Sequence, residues 1–139
     1  MTLSERLDEL LQEKYLTAEG LAREIGLTGR AVLKWRKGAA IKLEHLLKVA
    51  EYFNCSVDFL CGRTDTEGSF NKAEQKLAQR LKTLIENSKK PIERISKETG
   101  LDRRNFYDWL SGKLPVSSSI IALADYFGYT VDYVIGLDG

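Results

Sequence analysis

The chain has 139 residues, 43% hydrophobic and 29% charged, and its 21 basic and 20 acidic side chains leave a net charge of +1. That length allows one domain or two small ones, and near-neutrality excludes a coat that grips nucleic acid by charge alone. No run of about 18 apolar residues is present, which excludes a spanning helix, and Cys55, Cys61 and the single His45 do not stand at a zinc spacing.

The chain opens with Thr2 and Glu5, three apart, which is a capping box at a helix start. Leu3, Leu7, Leu10 and Leu11 then form one apolar stripe, ending near Lys14 or Tyr15. The charged, amphipathic N-terminus is unlike a secretory signal. Thr17 caps a second helix that stops near Gly26, where a left-handed backbone is expected. Thr28 caps a third helix, from about Gly29 to Arg36, stopping at Gly38. After a loop, a fourth helix over about 43–53 should bury Leu43, Leu46, Leu47, Ala50 and Phe53. Asn54 is its left-handed end, and Ser56 caps a short fifth helix from Val57 to Cys61. The two cysteines read as buried thiols in a reducing cytoplasm. Strand alternation is nowhere sustained, so the first half reads as five short helices.

The polar stretch after Arg63 reads as a linker or hairpin, with Phe70 as an anchor. The second half then repeats the first without a gap. Residues 3–62 align with 77–136 at 17 identities, among them Gly26/Gly100, Arg30/Arg104, Trp35/Trp109, Gly38/Gly112 and Val57-Asp58/Val131-Asp132. Substitutions keep their physical role: Thr28 is matched by Asp102, still a cap, and Asn54 by Gly128, still free to go left-handed. This is one fold used twice. Each unit has apolar residues enough for its own core, which argues against a solenoid. The expected domains are 1–63, a linker 64–74, and 75–139.

Within Ala18–Trp35 the spacings are those of a helix-turn-helix. Leu21 and Ile25 share one face of the first helix, Ala22 is small where a second helix comes close, and Val32 and Trp35 face inward on the second. Gly29, Arg30, Leu33 and Lys34 are left outward, where such a helix enters a DNA major groove. The pattern LxxEIGLTxxxVxKWxKG over Leu21–Gly38, with the stretch Ala50–Asp65, resembles the lambda-repressor-like, xenobiotic-response-element family of bacterial and phage regulators. The resemblance covers both repeats. It implies an all-α chain of two tandem five-helix DNA-binding domains and repressor-type control of an operator bound as a dimer. Two features depart from the family. Its common Gln at the start of helix two is Ala18 here and Ile92 in the repeat, which removes a phosphate contact. Its common Glu-Asn before the glycine is Arg36-Lys37 and Leu110-Ser111.

Charge separates the repeats. Positions 23–42 hold six cations (Arg23, Arg30, Lys34, Arg36, Lys37 and Lys42) against Glu24 alone. A basic patch on a neutral protein is what phosphate contact needs, although a solvated charged helix also reads this way. Arg30 is placed to pair with guanine, and Lys34 to reach a base or phosphate. In the repeat, 97–116 hold four cations against Glu98, Asp102 and Asp108. The candidate readers there are Arg103, Arg104, Asn105 and Tyr107, with Lys113 and Lys89-Lys90 in support and Asp108 opposed. The expected DNA-binding set is thus Thr28, Gly29, Arg30, Leu33, Lys34, Arg36 and Lys37 with Arg103, Arg104, Asn105, Tyr107 and Lys113. Repeat two is either a second reader or a domain kept for dimerisation.

Trp35 and Trp109 are expected in the core rather than against bases, and His45 on the solvated side of helix four. A glycine-rich phosphate loop, a nucleophile elbow and a Cys/His pair are all missing, so no enzyme, cofactor, metal or small-molecule ligand is expected. The expected partner is double-stranded DNA, in the cytoplasm. The rival reading is a protein-binding regulatory module, antitoxin-like or antirepressor-like. Either one chain sets two different readers on an asymmetric site, or a homodimer forms through helix five, around Phe59-Leu60 or Tyr133-Val134.

Overall fold

The computed structural model describes residues 1–137. Its described residues form ten helices and no strand: α1 (Leu3–Glu13), α2 (Ala18–Ile25), α3 (Gly29–Arg36), α4 (Leu43–Phe53), α5 (Val57–Leu60), α6 (Leu77–Ser88), α7 (Ile92–Thr99), α8 (Arg103–Leu110), α9 (Ser117–Phe127) and α10 (Val131–Ile135). They fall into two compact units that divide after Phe70.

In unit 1 the caps set the helix starts. The Thr2 hydroxyl accepts from the Glu5 N–H at 3.2 Å while the Thr2 N–H donates to Glu5 Oε1 at 2.9 Å, closing the capping box. Thr17, Thr28 and Ser56 each accept from a backbone N–H of the first turn they precede. α2 ends at Gly26, whose φ of 76° is left-handed. α4 ends at Asn54, φ 48°. The core joins Leu7, Leu21, Val32, Leu46, Val49 and Leu60, all fully buried. Val49 takes the place expected of Leu47, which is only half-buried.

One buried residue is charged. Arg6, 4% exposed, lays its guanidinium 3.7 Å from the centre of the Phe59 ring and donates to the Thr64 carbonyl at 3.1 Å. Phe59 and Leu60 are themselves 7% and 0% exposed. Helix five therefore offers no bare apolar strip in unit 1, which corrects the expectation that Phe59-Leu60 waits for a dimer partner. The segment expected to be linker also folds back here. The Ser56 N–H donates to the Glu67 carbonyl at 3.0 Å, and the Phe70 N–H to Asn54 Oδ1 at 3.2 Å.

Unit 2 follows the same order with matching helices. α7 and α8 have 8 residues each, as α2 and α3 do, and α9 has 11, as α4 does. Its core joins Leu81, Ile95, Phe106, Ile120, Leu123 and Val134. Arg80 repeats the part of Arg6, 3.9 Å from the centre of the Tyr133 ring and donating to the Tyr133 carbonyl. Tyr129 stacks on the same ring at 4.3 Å. Val134 is fully buried, whereas Tyr133 is half-buried beneath Arg80 and the exposed Tyr129, so of the second helix-five pair only Tyr133 reaches the surface.

Candidate nucleic-acid interface

The geometry of α2 and α3 follows from three small residues. Ala22, 2% exposed, lets α3 close on α2. Gly26 turns the chain, and the Leu27 N–H reaches back to the Ala22 carbonyl at 2.8 Å. Gly29 opens α3 where a Cβ would stand 2.8 Å from Glu19 Cγ. That glycine leaves room for Glu19 to seat against the start of α3.

Val32 and Trp35 point inward, 0% and 5% exposed, so the Trp35 ring belongs to the core. Trp109 does the same in unit 2, 5% exposed and tilted 60° against the Phe106 ring. Thr28, Arg30, Leu33, Lys34, Arg36 and Lys37 are all exposed on α3 and its ends, whereas Gly29 is half-buried. Beside α3 runs a groove of about 280 Å³ edged by Arg30, Lys34 and Lys42, with Ala39, Ala40 and Trp35 along its floor. His45 lines it as well, its ring 6.0 Å from that of Trp35. That corrects its placement on the solvated side of α4: His45 is half-buried against the reading helix. Ala18 is 5% exposed and packs inward, so no side chain reaches outward from the first position of α2.

The cations of this face are not equally available. Arg36 is held by Asp8, Nε to Oδ1 at 2.6 Å. Among the described residues Arg30, Lys34, Lys37 and Lys42 are in no ion pair and stay open to an external anion.

Unit 2 brings Arg103, Arg104, Asn105 and Tyr107 together on the outer side of α8, all exposed. Their charges are largely matched from within. Asp102 caps α8 by accepting from the Arg104 N–H at 2.9 Å and also holds the Arg104 guanidinium at 3.0 Å. That hydrogen bonding lowers the Asp102 pKa and raises that of Arg104. Lys113 stands 3.7 Å from Asp108, and the Tyr107 hydroxyl lies 3.4 Å from Glu93. Lys90, expected to support phosphate contact, is instead bound to Glu98 at 3.2 Å and to the Tyr126 hydroxyl. The groove edge repeats this neutrality: Arg30, Lys34, Ala39 and Lys42 of unit 1 correspond to Arg104, Asp108, Lys113 and Val116.

Residues 6–65 match the family of the Cro/C1-type HTH DNA-binding domain. The match takes in all of α2–α5 and the groove, so unit 1 is similar to DNA-binding domains of that type. No curated protein and no solved structure matches the chain. Among the described residues no helix is long and apolar enough to cross a membrane, and no cluster of His, Cys, Asp or Glu could hold a metal ion.

Proposed function

We propose that the chain is a sequence-specific transcription regulator, acting as a repressor, in which unit 1 reads operator DNA by setting α3 in the major groove. The carrying observation is the open basic face of a helix-turn-helix: Arg30, Lys34 and Lys42 edge its groove, Lys37 is exposed at the end of α3, and among the described residues none of the four is in an ion pair. Phosphate contact needs cations that do not first have to leave a carboxylate. Arg30, at the start of α3, is the guanine reader, and Lys37 and Lys42 are phosphate anchors. Leu33, 46% exposed, suits a thymine methyl.

In this reading the second unit is a diverged copy of the first, and two chains together cover an operator of two half-sites. The regulator works with its DNA in the cytoplasm, by binding alone, with no catalytic step, cofactor or small-molecule ligand.

Selection from random duplexes should enrich one preferred site. Arg30→Ala should then cost about 1–3 kcal/mol on that site and relax preference at one base position. Enrichment of no site, or an Arg30→Ala chain that binds the site as tightly and selectively as before, contradicts the proposal.

A further inference from the structure

His45 is the chain's single histidine, and it stands on the basic face of unit 1. It lies half-buried in the first turn of α4, its N–H donating to the Lys42 carbonyl at 3.0 Å. The Trp35 ring backs it, with centroids 6.0 Å apart and planes tilted 40°. Its side chain lines the groove together with Arg30 and Lys34 of α3 and with Lys42. Among the described residues its ring nitrogens make no hydrogen bond. The donor and acceptor of the ring are thus left to whatever fills the groove. No carboxylate lines it. On α4 itself the charged residues within three positions of His45 are Lys42, Glu44 and Lys48. α2 also packs on α4, but its Glu19, Arg23 and Glu24 do not line the groove, and Asp58 of the neighbouring α5 is held by Arg63. A proton on the imidazole therefore adds a cation to a groove that already holds three. The anion that balances it has to come from outside.

We propose that His45, in its protonated form, donates to a backbone phosphate of the bound duplex, so that unit 1 takes up a proton as it binds and holds DNA more tightly as pH falls. The inference rests on the DNA reading of α3 and adds a regulation to that same site. Its sign follows from the charges. In the free chain the imidazolium faces three cations, and in the complex it faces an anion as well. The complex therefore binds more protons than the free chain, and affinity rises as pH falls through the imidazole range. Imidazole changes charge between about pH 5 and 8, where the lysines and arginines of the groove stay charged. Unit 2 has no such device, because Ser119 stands at the place of His45 and Asp108 at that of Lys34.

The test is fluorescence anisotropy of the labelled preferred duplex with the full chain, at about pH 8 and about pH 6 and over a range of salt, beside His45→Gln. Glutamine stays neutral throughout. The parent chain should bind about tenfold tighter at the lower pH, with a salt slope steeper by up to about one unit. His45→Gln should bind alike at both, close to the parent's affinity at the higher pH. Calorimetric titrations in two buffers of different ionisation heat should show proton uptake by the parent and none by the variant. Circular dichroism checks folding. If His45→Gln unfolds, His45→Ser takes its part, since unit 2 carries serine at the matching place. An α-amino group titrates in this window as well, so a pH dependence that the folded variant keeps overturns the proposal. A duplex bound no more tightly at the lower pH also overturns it, and leaves the DNA reading standing. A chain that binds no duplex at either pH sinks both.

Discussion

Asp102 and Glu98 show how single carboxylates decide what the neighbouring cations can do. Each is tied to cations that a nucleic-acid interface would need free: Asp102 to Arg104, and Glu98 to Lys90 and Arg94. The Arg104 hydrogen bonds hold the Asp102 carboxyl below its ordinary range, and the Lys90 hydrogen bond, then Arg94, does so for Glu98. A carboxyl whose pKa is lowered by folding adds stability above its unfolded value, and that stability is lost as pH falls through the folded value. Acid unfolding of the chain should therefore sharpen below about pH 4. Glu98→Gln, which resembles the protonated acid at every pH, should flatten that limb in thermal melts by lowering stability near neutrality and leaving it unchanged in acid, and the loss should be small because exposed pairs are worth little. A variant whose acid limb matches the parent's would show that these pairs hold nothing. His45 is the residue that patterning misplaced. On a helical wheel it sits off the stripe, but the Trp35 ring of α3 reaches it.

At the scale of elements, caps and left-handed ends were plain in the sequence because each is decided by one or two adjacent residues. Thr2, Thr17, Thr28, Ser56, Gly26 and Asn54 all do locally what their chemistry suggests. Ion pairs between elements were not legible. Arg36 looked like a phosphate anchor until α1 brought Asp8 against it, 28 residues away. The stretch 64–70 looked like linker because it is polar, but its backbone bonds to Ser56, Asn54 and Arg6 hold it to unit 1. Gly29 is the sharpest case. Helix propensity says that Ala in its place should gain about 0.8–1 kcal/mol. The contact with Glu19 says the reverse, since the Cβ would meet Cγ, close to a fixed backbone, with Glu19 Cα 3.5 Å away. Gly29→Ala should lower stability by about 1 kcal/mol in denaturant melts, and adding Glu19→Ala should recover part of it. A more stable Gly29→Ala chain would show that α2 and α3 give way freely.

At the scale of the whole molecule, two units with the same order of helices carry different surfaces. The shared core and turn positions make the repeat legible in the sequence, while the Cro/C1-type match covers residues 6–65. The proposed function divides labour between the units: unit 1 grips DNA, and unit 2 does not. The salt dependence of binding tests it most directly, because each lost phosphate contact lowers the slope of log K against log salt by about one unit. The full chain is titrated with its preferred duplex over a range of salt, beside Lys37→Ala and Lys42→Val in unit 1 and Lys113→Ala in unit 2. Both unit 1 variants should flatten the slope by about one unit each, and Lys113→Ala should leave it unchanged. A slope that falls with Lys113→Ala but holds with the unit 1 variants would contradict the account.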